Sequence, residues 1–213
     1  MLDFFIIQPF LTIFKYLVNI FNDFGLAIIF FSLFLKILIS PLSFLQFKEE
    51  IKLKKIKEKI DKLTKKEKDL LKKAEIISKV YEEEQFNPLY NIIIQFSTLP
   101  FYLGAIIVIQ NLMKNLNNTY FLNIIDLSKP NIYLSLLVII AQFIFVFNQP
   151  KENRKMLLFI TGVLAAIILF FPSAFLIYFF MSLILTLLER KLFNWYNIKL
   201  SVVSVEENNP NRS

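Results

Sequence analysis

Residues 24–41 read Phe-Gly-Leu-Ala-Ile-Ile-Phe-Phe-Ser-Leu-Phe-Leu-Lys-Ile-Leu-Ile-Ser-Pro, a run long enough to cross a bilayer that carries a single charge, Lys36. A lysine near the centre of a spanning helix costs about 2.5–3.5 kcal/mol on insertion scales, so it is expected to face a protein interior or a watery cavity. Further apolar runs occupy about 88–113, 131–147 and 156–188. Hydrophobic residues make up 56% of the chain and mean hydropathy is +0.56, against an apolar share of about 45–50% in soluble domains. The chain therefore reads as an integral membrane protein.

The last run is too long for one crossing, since 33 residues of helix span about 50 Å against a hydrocarbon core of about 30 Å. Pro172-Ser173 divides it, with Lys151, Arg154 and Lys155 before the run and Arg190 and Lys191 after it. Basic flanks on both sides place both ends in the cytoplasm, so the run enters and returns. Five crossings result. Thirteen lysines lie between residues 48 and 79, whereas 114–130 hold only Lys114 and Lys129. The first segment is expected inside and the second outside, with the N-terminus out and the C-terminus in.

The expected class is all-α and polytopic. An interfacial amphipathic helix covers 1–22, with Phe10, Ile13, Phe14, Leu17 and Ile20 at helical spacing. The spans fall at 23–45, 87–113, 131–148, 156–171 and 172–190. A cytoplasmic helical hairpin (46–86), an external loop (114–130), a cytoplasmic loop (149–155) and a cytoplasmic tail (191–213) separate and follow them. Met1 to Asn22 lacks a basic start and a small-residue cleavage site, so a cleaved signal is not expected. The two halves of the last hairpin, about 16 residues each, are expected to thin the bilayer.

In the hairpin, Leu53, Ile56, Ile60 and Leu63 form one apolar stripe, and Leu70, Ala74, Ile77 and Tyr81 another. Thr64-Lys-Lys-Glu67 has the form of a capping box opening the second helix. Thirteen lysines against ten acids over 46–86 suit contact with anionic headgroups or ribosomal RNA.

Chemistry is bounded by what is missing. Without cysteine or histidine there is no disulfide, thiolate, imidazole base or usual zinc site. Three glycines leave no glycine-rich phosphate loop. No cofactor, metal or covalent catalysis is expected. What remains is a set of polar stripes, because positions four and seven apart share a helix face. Ser32, Lys36, Ser40 and Ser43 form one; Asn91, Gln95, Thr98 and Tyr102 a second; Tyr178, Ser182, Thr186 and Glu189 a third. Ser135 and Gln142 lie seven apart in the third span, and Thr161 in the fourth. Inter-helix hydrogen bonding, worth roughly 0.6 kcal/mol each, accounts for hydroxyls alone but not for a full charge. No acid within the spans is placed to neutralise Lys36, Glu189 being read at the cytoplasmic edge. The expectation is a hydrated recess about 12 Å from the cytoplasmic end, with snorkelling of the lysine side chain as the rival account.

Several of these residues carry a resemblance. Gly25-Leu-Ala-Ile-Ile, Phe-Leu-Lys36-Ile-Leu-Ile-Ser-Pro41-Leu, the charged hairpin and Asn87-Pro88-Leu…Gln95-Phe-Ser-Thr-Leu-Pro100 together resemble the YidC/Oxa/Alb membrane protein insertases. Phe121-Leu-Asn-Ile-Ile-Asp126-Leu-Ser and Phe171-Pro-Ser-Ala-Phe-Leu-Ile-Tyr178 continue it, so that it runs from about Gln8 to Leu192. Lys36 stands where the family usually has arginine, and lysine lacks the bidentate fork and permanent charge of that residue. The resemblance implies the short bacterial type, without a large external domain, in the cell membrane. It implies an inward-open substrate groove formed by Lys36, Gln95, Asn91, Ser32, Ser40, Thr98, Gln142, Tyr178 and Ser182. The implied partners are nascent membrane proteins and the lipid bilayer, with the ribosome, signal recognition machinery and Sec translocon as candidates. The polar stripes alone leave open a small solute or lipid transporter, or a structural subunit of a membrane complex.

Overall fold

The computed structural model describes residues 3–65, 67–115, 119–148 and 151–207, and it is almost entirely helical. A π-helical turn at Asp3–Ile7 leads into α1 (Gln8–Phe21). α2 (Phe24–Thr64) is a single 41-residue helix with Pro41 inside it, followed by α3 (Leu70–Glu83). α4 (Pro88–Phe96) and α5 (Leu99–Asn115) come next. A two-stranded antiparallel hairpin, β1 (Tyr120–Phe121) and β2 (Ile125–Asp126), precedes α6 (Ile132–Phe147), α7 (Lys151–Ile168) and α8 (Ser173–Glu207). Among the described residues, three stretches are long and apolar enough to cross a membrane: Phe24–Thr64, Pro88–Asn115 and Ser173–Tyr196. Large apolar side chains lie exposed on them and on their neighbours, such as Ile37 and Ile93, Tyr133 on α6 and Phe159 on α7. That surface is intolerable in water and ordinary against lipid.

Local chemistry sets the helix starts. The Asn87 carboxamide accepts hydrogen bonds from the amides of Leu89 and Tyr90, and Asn131 does the same for Tyr133 and Leu134. Asp69 caps α3 through the amide of Leu71. The capping box expected from Thr64 and Glu67 does not form. The Thr64 hydroxyl donates back to the Ile60 carbonyl inside α2, and Glu67 accepts from the amides of Lys68 and Asp69 in the turn. Thr64 ends one helix, so it has no free conformation with which to begin the next.

The chain divides into two compact units, Met1–Leu38 with Pro100–Ser213, and Ile39–Leu99. In the first, α1 packs inward. Phe10 and Phe14 are buried, with ring centroids 5.6 and 5.0 Å from Phe31 in edge-on geometry, beside Ile28, Val108 and Ile109. The amphipathic spacing of α1 thus serves a protein core, while Tyr16 and Ile20 stay exposed. Gly104 lets the turn before α1 lie close on α5; a Cβ there would come within 2.6 Å of Ile6 Cγ2. A Cβ at Gly25 would overlap the Phe121 ring. α6 packs on α7 and α8 through Val138, Ile168 and Leu176, and the Ser135 hydroxyl donates to the carbonyls of Asn131 and Ile168.

The β-hairpin fastens two helix starts in this unit. Asp23 accepts from the amide of Leu26 at the head of α2 and from the amide of Leu122 in the hairpin turn, where Leu122 and Asn123 take positive φ. The Lys129 carbonyl accepts from the amide and hydroxyl of Ser173, and the Leu127 carbonyl from the amide of Ala174, at the head of α8. α8 then continues as helix well past Arg190, and the candidate span in it is Ser173–Tyr196. The charge that seemed to end the span, Glu189, is buried and paired.

In the second unit, Ile56, Val80 and Phe86 form the hairpin core, with Leu53, Ile60, Ile76 and Tyr81 around it. The α2 stripe is therefore used as its spacing indicates, except that Leu63 is exposed. On α3 the buried line passes through Ile76 and Val80 rather than Leu70 and Ala74, which face out. Lys59 bridges to both Glu83 and Glu84 on the hairpin's outer face.

Candidate functional site

Lys36 is buried on α2, and its ammonium lies 2.6 Å from Glu189 Oε2 on α8. The same ammonium donates to the Thr186 hydroxyl at 3.1 Å, and that hydroxyl donates to the Ser182 carbonyl one turn earlier. This overturns the expectation of a lysine without a counter-ion. Glu189 follows Tyr178, Ser182 and Thr186 on one face, and that face turns toward α2, so the edge residue reaches inward. Two charges removed from water repay their desolvation only when closely paired, and this pair meets that condition.

Thr186 also lines a cavity of about 280 Å³ with Tyr102, Gln142, Phe145, Tyr178, Phe179, Ser182 and Leu183. The cavity draws on α5, α6 and α8 and combines aromatic walls with hydroxyl and amide groups. Gln142 Oε1, Tyr178 OH and Glu189 Oε1 are buried without a hydrogen-bond partner among the described residues. Each such atom costs about 1–3 kcal/mol relative to a satisfied one. Gln142 and Tyr178 belong to the cavity lining, and Glu189 lies three residues beyond Thr186 on α8. Ser32, by contrast, is satisfied within its helix by the Ile28 carbonyl.

Of the nine expected groove residues, Lys36, Ser32, Gln142, Tyr178 and Ser182 belong to the first unit, and Ser40, Asn91, Gln95 and Thr98 to the second. Asn91 and Thr98 are buried, Ser40 is half-buried and Gln95 is exposed. The Asn91 amide nitrogen has no partner among the described residues. Gln46, which the sequence reading passed over, donates from Nε2 to the carbonyls of Ile94 and Gln95 and to the Thr98 hydroxyl, where the helix breaks between α4 and α5. It stands three residues beyond Ser43 and so continues the stripe of Ser32, Lys36, Ser40 and Ser43 by one more turn. Tyr102, Thr186 and Glu189 did stand in the stripes but were not counted in the groove. Among the described residues no cluster of three acidic side chains is placed to hold a metal ion.

The sequence profile described as 60Kd inner membrane protein matches residues 16–199. The chain belongs to this family. It is the YidC/Oxa/Alb family that the motifs resemble. Three curated relatives carry the name membrane protein insertase YidC. One, from Buchnera aphidicola subsp. Baizongia pistaciae (strain Bp), is 26% identical over 196 residues, covering 88% of this chain and 37% of the relative. Another, from Geobacter sp. (strain M21), is 24% identical over 198 residues, covering 89% and 37%. A third, from Wigglesworthia glossinidia brevipalpis, is 22% identical over 194 residues, covering 87% and 36%. The chain thus spans a little over a third of the length of these relatives. Family and apolar helices together make it a multi-pass protein of the bacterial cell membrane.

Proposed function

We propose that this chain is a membrane protein insertase that acts without covalent chemistry, easing polar segments of new membrane proteins through the bilayer. The observation that carries the reading is the buried Lys36–Glu189 pair, bonded to Thr186, which lines a cavity with unpartnered polar atoms. A polar segment crossing hydrocarbon loses several kcal/mol for each uncompensated group. Gln142, Tyr178, Ser182 and Thr186 offer replacement hydrogen bonds at that depth, and the aromatic walls accept an apolar flank. Partition of the client's own apolar span into lipid then drives release.

Five crossings and an external N-terminus complete the proposal, with Ser40, Asn91, Gln95 and Thr98, on their helical spacing alone, as further positions that clients touch. The lysine-rich hairpin and the lysine-poor 114–130 loop support the orientation. The apolar part of α7, Leu157–Ile168, is short for a crossing and favours local thinning there. Nascent membrane proteins are the clients, with the ribosome, signal recognition machinery and Sec translocon as candidate partners of the charged hairpin. The test is reconstitution of the chain in proteoliposomes with ribosome-bound nascent chains and a photocrosslinker at position 142. Crosslinks to the client during insertion are expected; vesicles with the chain that insert no more client than empty vesicles would refute the proposal.

A further inference from the structure

We infer that Glu189 is a specificity-determining residue: it competes with client carboxylates for Lys36 and so sets how strongly the site favours acidic over uncharged translocated segments. The inference rests on the insertase reading and adds a residue to it. A lysine ammonium has three donors. One is given to Glu189 Oε2 and one to Thr186 Oγ1, so at most one remains for a client. The positive charge is already neutralised at 2.6 Å inside the protein, and a neutral pair draws an approaching anion far less than a lone cation does.

Displacement is still open to a client, because Glu189 holds on by one oxygen while Oε1 has no partner among the described residues. An arriving carboxylate must swing Glu189 aside and then lie near it, both in surroundings that strengthen like-charge repulsion. The neighbouring cavity supplies the room for this exchange, since Thr186 lines it and touches Lys36. An uncharged tail meets no such competitor and uses Gln142, Ser182, Tyr178 and Thr186.

The experiment uses the full chain in proteoliposomes and two clients that differ only in a short translocated tail, one with two aspartates and one with two asparagines. The readout is the ratio of acidic to neutral insertion. Glu189→Gln keeps the shape and an acceptor for Lys36 but frees its charge, and should raise the ratio at least fivefold. Glu189→Asp, which keeps the charge but draws the carboxylate back from Lys36, should raise it about twofold and decides the matter if Glu189→Gln does not fold. Lys36→Gln combined with Glu189→Gln should abolish the gain. If the wild-type chain inserts both clients and the ratio stays unchanged in the variants that fold, the role of Glu189 is overturned while the insertase reading stands. If the wild-type chain inserts neither client, the insertase reading itself fails, and this inference with it.

Discussion

Lys36→Ala should do more than delete a positive charge, because it strands Glu189 as a buried, uncompensated anion. Breaking a buried pair from one side typically costs about 3–5 kcal/mol. Thermal unfolding in detergent should show this loss, and Lys36→Ala with Glu189→Ala together should recover part of it. A second residue-scale expectation concerns Asp126 in the 114–130 loop. Lys129, then the Ser128 side chain and amide, hold its carboxyl at about 2, below the ordinary value of 3.8. A carboxyl depressed on folding contributes stability above its unfolded value and loses it as pH falls through the folded one. Protection of the loop from proteases should therefore hold down to about pH 4 and decline toward pH 2, and Asp126→Asn should flatten that profile. At this scale the sequence marked Lys36 by its cost in lipid. It left Glu189 unassigned, because a counter-ion 150 or more positions away is chosen by packing and not by spacing.

At the scale of elements, the charged hairpin separates residues that their spacing treats alike. Ile56 and Leu63 share one stripe, yet Ile56 is buried and Leu63 is half exposed. Ile56→Ala should cost about 2–5 kcal/mol of hairpin stability, and Leu63→Ala no more than about 0.5 kcal/mol. Limited trypsin digestion, with lysines throughout 48–79 as sites, reads the difference directly. Asp69→Ala should weaken α3 by about 1 kcal/mol through loss of its cap. The periodicity of α2 was legible because one face meets one partner. That of α3 was legible only toward its end, where Tyr81 meets the core, because Leu70 and Leu71 both stay exposed in its first turn. Gln46 extends the polar stripe of α2, but its partners were not legible, since the helix break it satisfies is invisible until the chain folds.

For the whole molecule, the absence of cysteine makes the proposed topology open to a clean test. Single cysteines introduced within 48–79 should react with an impermeant maleimide only from the cytoplasmic face, and those within 114–130 only from outside. Labelling of both from one side would remove the five-crossing reading. The all-helical class and the family were legible because long uncharged runs and ordered short motifs are local properties of a chain. The cavity between α5, α6 and α8 was not, because Tyr102, Gln142 and Thr186 lie on separate runs that only folding brings side by side. The small β-hairpin bears on that meeting from the far end. From the head of α2 to Lys36 is about 18 Å of helix, and from the head of α8 to Glu189 about 24 Å. By stapling those two heads together, the hairpin acts as the zero mark of two rulers. A slip of even one residue there would move a charge by about 1.5 Å along its axis, enough to pull the distant ammonium and carboxylate out of alignment.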